Sequence, residues 1–224
     1  MGGANAGAMY VLHGSAALSS KTLATAVTDL DAVQIYGSQA EMRAGYSVAG
    51  AGDVNGDGYD DMLVGAPQYS DTGLTLSGIG VLFYGEANFI FPSATAPVAF
   101  PGATANEYAG YSVAGAGDVN NDGYADIMIG APDMRATDAS TGQVYSALGA
   151  STTLTTGSAP VGFTGQYDGD KFGVVVSGVG DLNNDGFDEI VILGRRDSFG
   201  PVYLGYVYID ADHDGFSGTS GVFS

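Results

Sequence analysis

Three segments of this chain are variants of a single line. Residues 44–67 read AGYSVAGAGDVNGDGYDDMLVGAP, residues 109–132 read AGYSVAGAGDVNNDGYADIMIGAP, and residues 171–194 read KFGVVVSGVGDLNNDGFDEIVILG. Their first acidic residues, Asp53, Asp118 and Asp181, stand 65 and 63 positions apart. A unit recurring at such a period is a supersecondary module that buries its apolar face only against its neighbours, so the chain should be a stack of like units.

Inside each unit, short runs of β-branched and aromatic residues alternate with clusters of Gly, Asn, Asp and Pro, which is the pattern of short strands joined by turns. The expected strands are 46–49, 62–65, 79–84 and 97–100 in the first full unit, and 111–114, 127–130, 143–148 and 160–163 in the second. The third gives 172–176, 190–193, 203–209 and 221–224. Helical periodicity is confined to 16–26. Units of four antiparallel strands predict an all-β fold, a β-propeller.

The opening of the chain is half a unit. GAMYVLHG at 7–14 matches the third-strand string GIGVLFYG at 78–85, and 33–36 followed by Gly37 matches the fourth-strand position ahead of Gly102 and Gly165. The expected organisation is a half blade at 1–40 and blades at 41–102, 103–165 and 166–224, all in one partial propeller domain. That is about three and a half blades, fewer than the four or more that close a ring. The expectation is a segment of a larger propeller, completed by further blades or by a different chain.

The repeated acidic string defines the chemistry. Each copy places D-x-N-x-D-G-x-x-[DE] between the first and second strands, with oxygen donors at positions 1, 3, 5 and 9, a backbone carbonyl at 7 and a glycine at 6 for the sharp bend, a set suited to a hard divalent cation. The donors are Asp53, Asn55, Asp57, the Tyr59 carbonyl and Asp61 in the first loop. They are Asp118, Asn120, Asp122, the Tyr124 carbonyl and Asp126 in the second, and Asp181, Asn183, Asp185, the Phe187 carbonyl and Glu189 in the third. The loops begin like an EF-hand, but position 12 holds Val64, Ile129 and Ile192 where that motif needs a bidentate glutamate. They are read instead as β-hairpin loops for Ca2+, closed at position 9. Asp60 reads as a solvated spare, and Asp188 as a competitor for the position of Glu189. A fourth string, DADHDGFSG at 210–218, offers Asp210, Asp212, Asp214 and the Phe216 carbonyl, with Gly218 at position 9. It is out of register with the repeat and reads as either a calcium loop or an acidic turn.

These residues resemble the FG-GAP repeat of integrin α-subunit propellers and related bacterial extracellular proteins. AGYSV at 44–48 and 109–113 stands at the FG segment, and Gly65, Ala66, Pro67 and Gly130, Ala131, Pro132 reproduce GAP. In the third copy FG is literal at Phe172 and Gly173, while GAP gives way to Gly194, Arg195 and Arg196. The resemblance implies a seven-bladed propeller with calcium loops on one face and adhesion or protein binding on the other. It also implies an extracellular or cell-surface location. The string YIDADHDGFSG resembles Asp-rich repeats of secreted bacterial proteins and points to a bacterial or archaeal source.

Charge and composition narrow the remaining classes. A formal charge of −19, from 25 Asp plus Glu against six Lys plus Arg, repels nucleic acid and anionic lipid. With no cysteine the chain has no disulfide framework and no thiolate chemistry. No apolar run is long enough to span a bilayer, and no signal-peptide pattern follows Met1. The histidines, His13 and His213, belong to no Ser-His-Asp arrangement, so a polysaccharide-processing enzyme is disfavoured. The expected role is a non-enzymatic calcium-braced module for adhesion or protein interaction. The alternative is a self-assembling surface or filament subunit that joins its neighbour by strand addition. The strand aromatics Tyr10, Phe83, Tyr84, Tyr145 and Tyr203 read as packing between blades rather than as a ligand platform. Arg195 and Arg196 read as a salt-bridged pair, or as an anchor for an acidic partner.

Overall fold

The computed structural model describes residues 3–14, 32–87, 95–133, 141–152, 154, 161–165, 168–196, 202–209 and 219–223, the last two segments as backbone alone. They form fourteen strands and no helix. A two-stranded sheet comes first, β1 (Ala8–Leu12) with β2 (Ala32–Tyr36). The first complete blade is β3 (Ser47–Gly52), β4 (Asp61–Ala66), β5 (Ile79–Phe83) and β6 (Val98–Pro101). The second is β7 (Ser112–Gly117), β8 (Asp126–Ala131), β9 (Gln143–Ala147) and β10 (Val161–Thr164). The third is β11 (Val175–Gly180), β12 (Glu189–Arg196), β13 (Val202–Ile209) and β14 (Thr219–Phe223). Each complete blade is a four-stranded antiparallel meander in chain order, and the described sheets do not close a ring. The helical pattern at 16–26 lies outside the described residues.

The first strand of each blade carries a bulge. Pairing shifts between Gly50 and Gly52, between Gly115 and Gly117, and between Gly178 and Gly180. The second glycine of each pair has φ of 74, 82 and 74°, the left-handed geometry that gives a strand its extra residue. Each bulge ends the strand one residue before the first aspartate of the loop, so Asp53, Asp118 and Asp181 open their loops at the same end of each sheet.

Blades stack through their inner strands, β3 beside β7 and β7 beside β11. Leu63, Leu82, Val98 and Phe100 of the first blade meet Val113, Ile127 and Ile129 of the second in one apolar cluster. Met128, Val144 and Phe163 meet Phe172, Val176, Ile190 and Ile192 at the next joint. The GAP glycine makes this approach possible. A Cβ on Gly65 would lie 2.0 Å from the carbonyl oxygen of Gly110, and one on Gly130 would lie 2.1 Å from that of Gly173. The same two carbonyls accept hydrogen bonds from the hydroxyls of Ser47 and Ser112, each at 2.8 Å.

Candidate metal centre in three acidic loops

The first two loops are superimposable in their hydrogen bonds. In the first, the amide of Asp57 donates to Asp53 Oδ1 at 3.0 Å and to Asn55 Oδ1 at 3.1 Å, the amide of Gly58 to Asp53 Oδ2 at 2.8 Å, and the amide of Tyr59 to Asp57 Oδ1 at 3.0 Å. In the second, Asp122 donates to Asp118 Oδ1 at 3.0 Å and Asn120 Oδ1 at 3.1 Å, Gly123 to Asp118 Oδ2 at 2.8 Å, and Tyr124 to Asp122 Oδ1 at 3.0 Å. The third repeats the set with Asp185, Gly186 and Phe187 donating to Asp181, Asn183 and Asp185. Asx side chains that bond amides two to five residues on wind the backbone around their own oxygens.

Two positions in each loop require a left-handed backbone. At position 6, Gly58, Gly123 and Gly186 have φ of 91, 90 and 96°. At position 4 the chain uses glycine once, Gly56 at 72°, and asparagine twice, Asn121 at 55° and Asn184 at 61°. Asparagine is one of the few side chains that tolerate this region, which is why N-G-D-G and N-N-D-G are interchangeable here.

The position 9 carboxylate accepts from the second amide of its own loop in all three copies. Asp61 accepts from the amides of Val54 at 2.9 Å and Gly85 at 2.8 Å, and Asp126 from those of Val119 at 2.9 Å and Gly149 at 2.7 Å. Both carboxylates are buried, and each clamps its loop to the end of the third strand of its blade. Burial pushes Asp61 up to about 6 and Asp126 up to about 7, opposed by those amide bonds and reinforced by the position 5 and position 1 aspartates. Glu189 is also buried. It accepts from the amide of Leu182 and from Asn183 Nδ2 at 3.1 Å, and its carboxylate comes within 4.8 Å of those of Asp181 and Asp185. Among the described residues this is the one cluster of three carboxylates placed to hold an ion.

Side-chain oxygens, with neither thiol nor imidazole, make a donor set that fits Ca2+ or another hard divalent cation. Asp210, Asp212 and Asp214 lie outside the described residues, as does His213.

Sequence reasoning missed the task of Asp188. Its carboxylate accepts from the amide of Asp118 in the preceding loop at 2.9 Å, and its own amide returns a bond to the Asp118 carbonyl at 3.0 Å. It therefore ties loop to loop and does not compete with Glu189. The only sequence signal was its position, one residue before the closing carboxylate. Two of the aromatics also bond backbone amides far along the chain. The Tyr84 hydroxyl accepts from the amide of Leu154 at 2.7 Å, and that of Tyr145 from the amide of Ala103 at 3.1 Å. Phe83 is buried, Tyr10 is exposed, and the side chain of Tyr203 lies outside the described set. Arg195 bonds through its amide to the Asp170 carbonyl.

Blades of this topology, each with a hairpin loop of Asx oxygens and a GAP glycine at the joint, define an integrin-like propeller. The FG-GAP repeat model matches residues 44–79 and 109–146. The chain is 32% identical over 159 residues to integrin alpha-6 of Gallus gallus, covering 69% of this chain and 14% of that protein. It is 34% identical over 153 residues to integrin alpha-8 of Mus musculus, covering 66% and 13%, and 36% identical over 105 residues to integrin alpha-3 of Mus musculus, covering 46% and 10%. The chain carries FG-GAP repeats in integrin-α-like propeller blades and spans about one seventh of the integrin alpha-6 that it matches. No helix of the described residues is long and apolar enough to cross a membrane.

Proposed function

We propose that this chain is a divalent-cation-braced propeller segment that serves protein–protein interaction or adhesion outside the cell, with calcium in a structural role. The observation that carries this reading is the threefold recurrence of one oxygen-lined loop with the same internal hydrogen bonds, set by a bulge at the same end of each blade. Three like-charged carboxylates crowded in a loop repel one another, and a cation relieves that repulsion. Asp53, Asn55, Asp57 and Asp61 would hold the ion in the first loop, Asp118, Asn120, Asp122 and Asp126 in the second, and Asp181, Asn183, Asp185 and Glu189 in the third. The carbonyls of Tyr59, Tyr124 and Phe187 stand at position 7 of the same loops. When bound, the ion supplies charge neutralisation and rigidity, while the chain's own clamps, Asp61, Asp126 and Asp188, fix each loop to its blade and to its neighbour.

The integrin α relatives support an extracellular interaction role, and the acidic surface suits a partner with basic character. Extracellular calcium modules bind in about the 10⁻⁴ to 10⁻³ M range, which the external medium supplies. Terbium luminescence excited through Tyr59 and Tyr124 tests the assignment. The expected signal saturates with added terbium, is displaced by calcium, and loses most of its intensity in the Asp53→Ala, Asp118→Ala double variant. A signal unchanged by both aspartate substitutions would overturn it.

A further inference from the structure

The acidic loops are joined to one another through backbone, and the join is the same in both neighbouring pairs. The amide of Ala125, at position 8 of the second loop, donates to the Asp53 carbonyl of the first at 3.1 Å, and the amide of Asp188, at position 8 of the third, donates to the Asp118 carbonyl of the second at 3.0 Å. Each of these amides belongs to the peptide group whose carbonyl is the position 7 donor, that of Tyr124 or Phe187. One peptide therefore offers its oxygen to its own loop and its N–H to the loop before.

The chain of bonds continues from there. The Asp53 carbonyl shares a peptide with the Val54 amide, which donates to Asp61 at 2.9 Å, and the Asp118 carbonyl shares one with the Val119 amide, which donates to Asp126 at 2.9 Å. Asp61 and Asp126 are the position 9 carboxylates that close those loops. Peptide groups in series thus run from position 7 of one loop to position 9 of the loop before it, once in each pair. The second pair is tied again by the Asp118 amide, which donates to Asp188 Oδ2 at 2.9 Å. Ala125 offers no such side chain, and the added contact in the first pair is the Tyr124 ring, so close to Gly56 that a Cβ there would lie 2.5 Å from it.

We propose that these peptide relays couple neighbouring ion sites, so that a cation held in one loop tightens binding in the loop before it. The proposal rests on the calcium reading given above. Hydrogen-bonded groups in series polarise one another, so a carbonyl drawn to a cation makes its own N–H a better donor and passes the effect to the next peptide. The closing carboxylate of the preceding loop is then held in place before its own ion arrives, which lowers the ordering cost of binding. The coupling is a free energy between two sites and is reciprocal. Charge acts in the opposite sense, because a filled loop draws a second cation toward its neighbour less strongly than an empty one does. That opposition is screened beyond about 3 Å in 1 M salt, whereas a bonded relay is not.

The test is a calcium titration of the full chain in about 1 M salt. The amide resonances of Gly58, Gly123 and Gly186, each bonded to the position 1 aspartate of its own loop, report the three sites separately. Emptying the second loop with Asp122→Ala should raise the calcium midpoint at Gly58 about fivefold or more, and emptying the third with Asp185→Ala should raise that at Gly123 about tenfold or more, within the usual span of coupling between sites. A backbone ester in place of the Ala125 amide exchanges the N–H of the first relay for an oxygen and keeps every side-chain donor. In that background Asp122→Ala should no longer move the midpoint at Gly58. Midpoints at Gly58 and Gly123 that stay in place when the neighbouring loop is emptied would overturn the coupling and leave the calcium reading intact. A shift at Gly58 that survives the ester in full would overturn the relay. No response to calcium at any of the three glycines would overturn the calcium reading and the proposal with it.

Discussion

Asp126 shows how much of this fold rests on single carboxylates. It is buried beside the Val119 and Gly149 amides and has no cationic partner among its bonds. Asp126→Ala strands both amides, each worth about 1–3 kcal/mol when left buried and unpaired, so urea unfolding should register a loss of about 2–4 kcal/mol. Its pH behaviour follows from the sign of the shift. Burial raises Asp61 and Asp126 above the ordinary carboxyl value, so the cation-free protein gains their full contribution below about pH 4. It loses that contribution as pH rises through about 6 and about 7. Without divalent ions the protein should melt at a higher temperature at pH 5 than at pH 8. That slope should flatten in an Asp61→Asn, Asp126→Asn variant and shrink in calcium, which competes with protons for the loops. The Asx turns and bends of these loops were legible in the sequence because Asx and Gly spacing is local chemistry. What was not legible was that the position 9 aspartates also accept from the amide just past the third strand, Gly85 for Asp61 and Gly149 for Asp126.

Strands and their joints follow the sequence pattern closely and depart from it where contacts come from elsewhere in the chain. Periodicity ended the first strand of each blade at Ala49 or Ala114, because the glycines beyond look like turn. In the fold Gly50 and Gly115 still pair with Met62 and Ile127, and the bulge follows. The third blade shows the opposite case. Phe172 and Gly173 look like strand, yet Phe172 forms an isolated parallel bridge to Gly142 of the blade before, and β11 begins only at Val175. Both departures are tertiary choices that local propensity does not encode. Two substitutions test the joints. Gly130→Ala forces a methyl group against the Gly173 carbonyl and should cost about 3 kcal/mol, read as a lower denaturant midpoint at unchanged slope. Asp188→Ala removes the bond between the second and third loops. It should cost about 1–2 kcal/mol and speed hydrogen exchange at the Asp118 amide while sparing that of Asp57.

At the scale of the whole molecule, three and a half blades repeat one solution to the same problem. Each sheet is too small to bury its faces alone, so glycine lets the next blade approach, apolar side chains fill the joint, and an acidic loop caps one end. The repeat made the number and order of strands readable before any coordinates, since each unit served as a template for the next. The loops couple to this stack through Asp61, Asp126 and Asp188, so an ion that orders a loop should stabilise the joint beside it. The most direct test is the thermal unfolding midpoint of the intact chain, measured at pH 7.5 across a calcium series against a chelator, with magnesium as the comparison. At calcium a hundredfold above its dissociation constant, one occupied loop adds about 2.7 kcal/mol of stability. The midpoint should therefore climb steadily with calcium and fall in chelator, and an identical midpoint in chelator and in about 10⁻² M calcium, roughly tenfold above the weakest dissociation constant of such loops, would contradict the account.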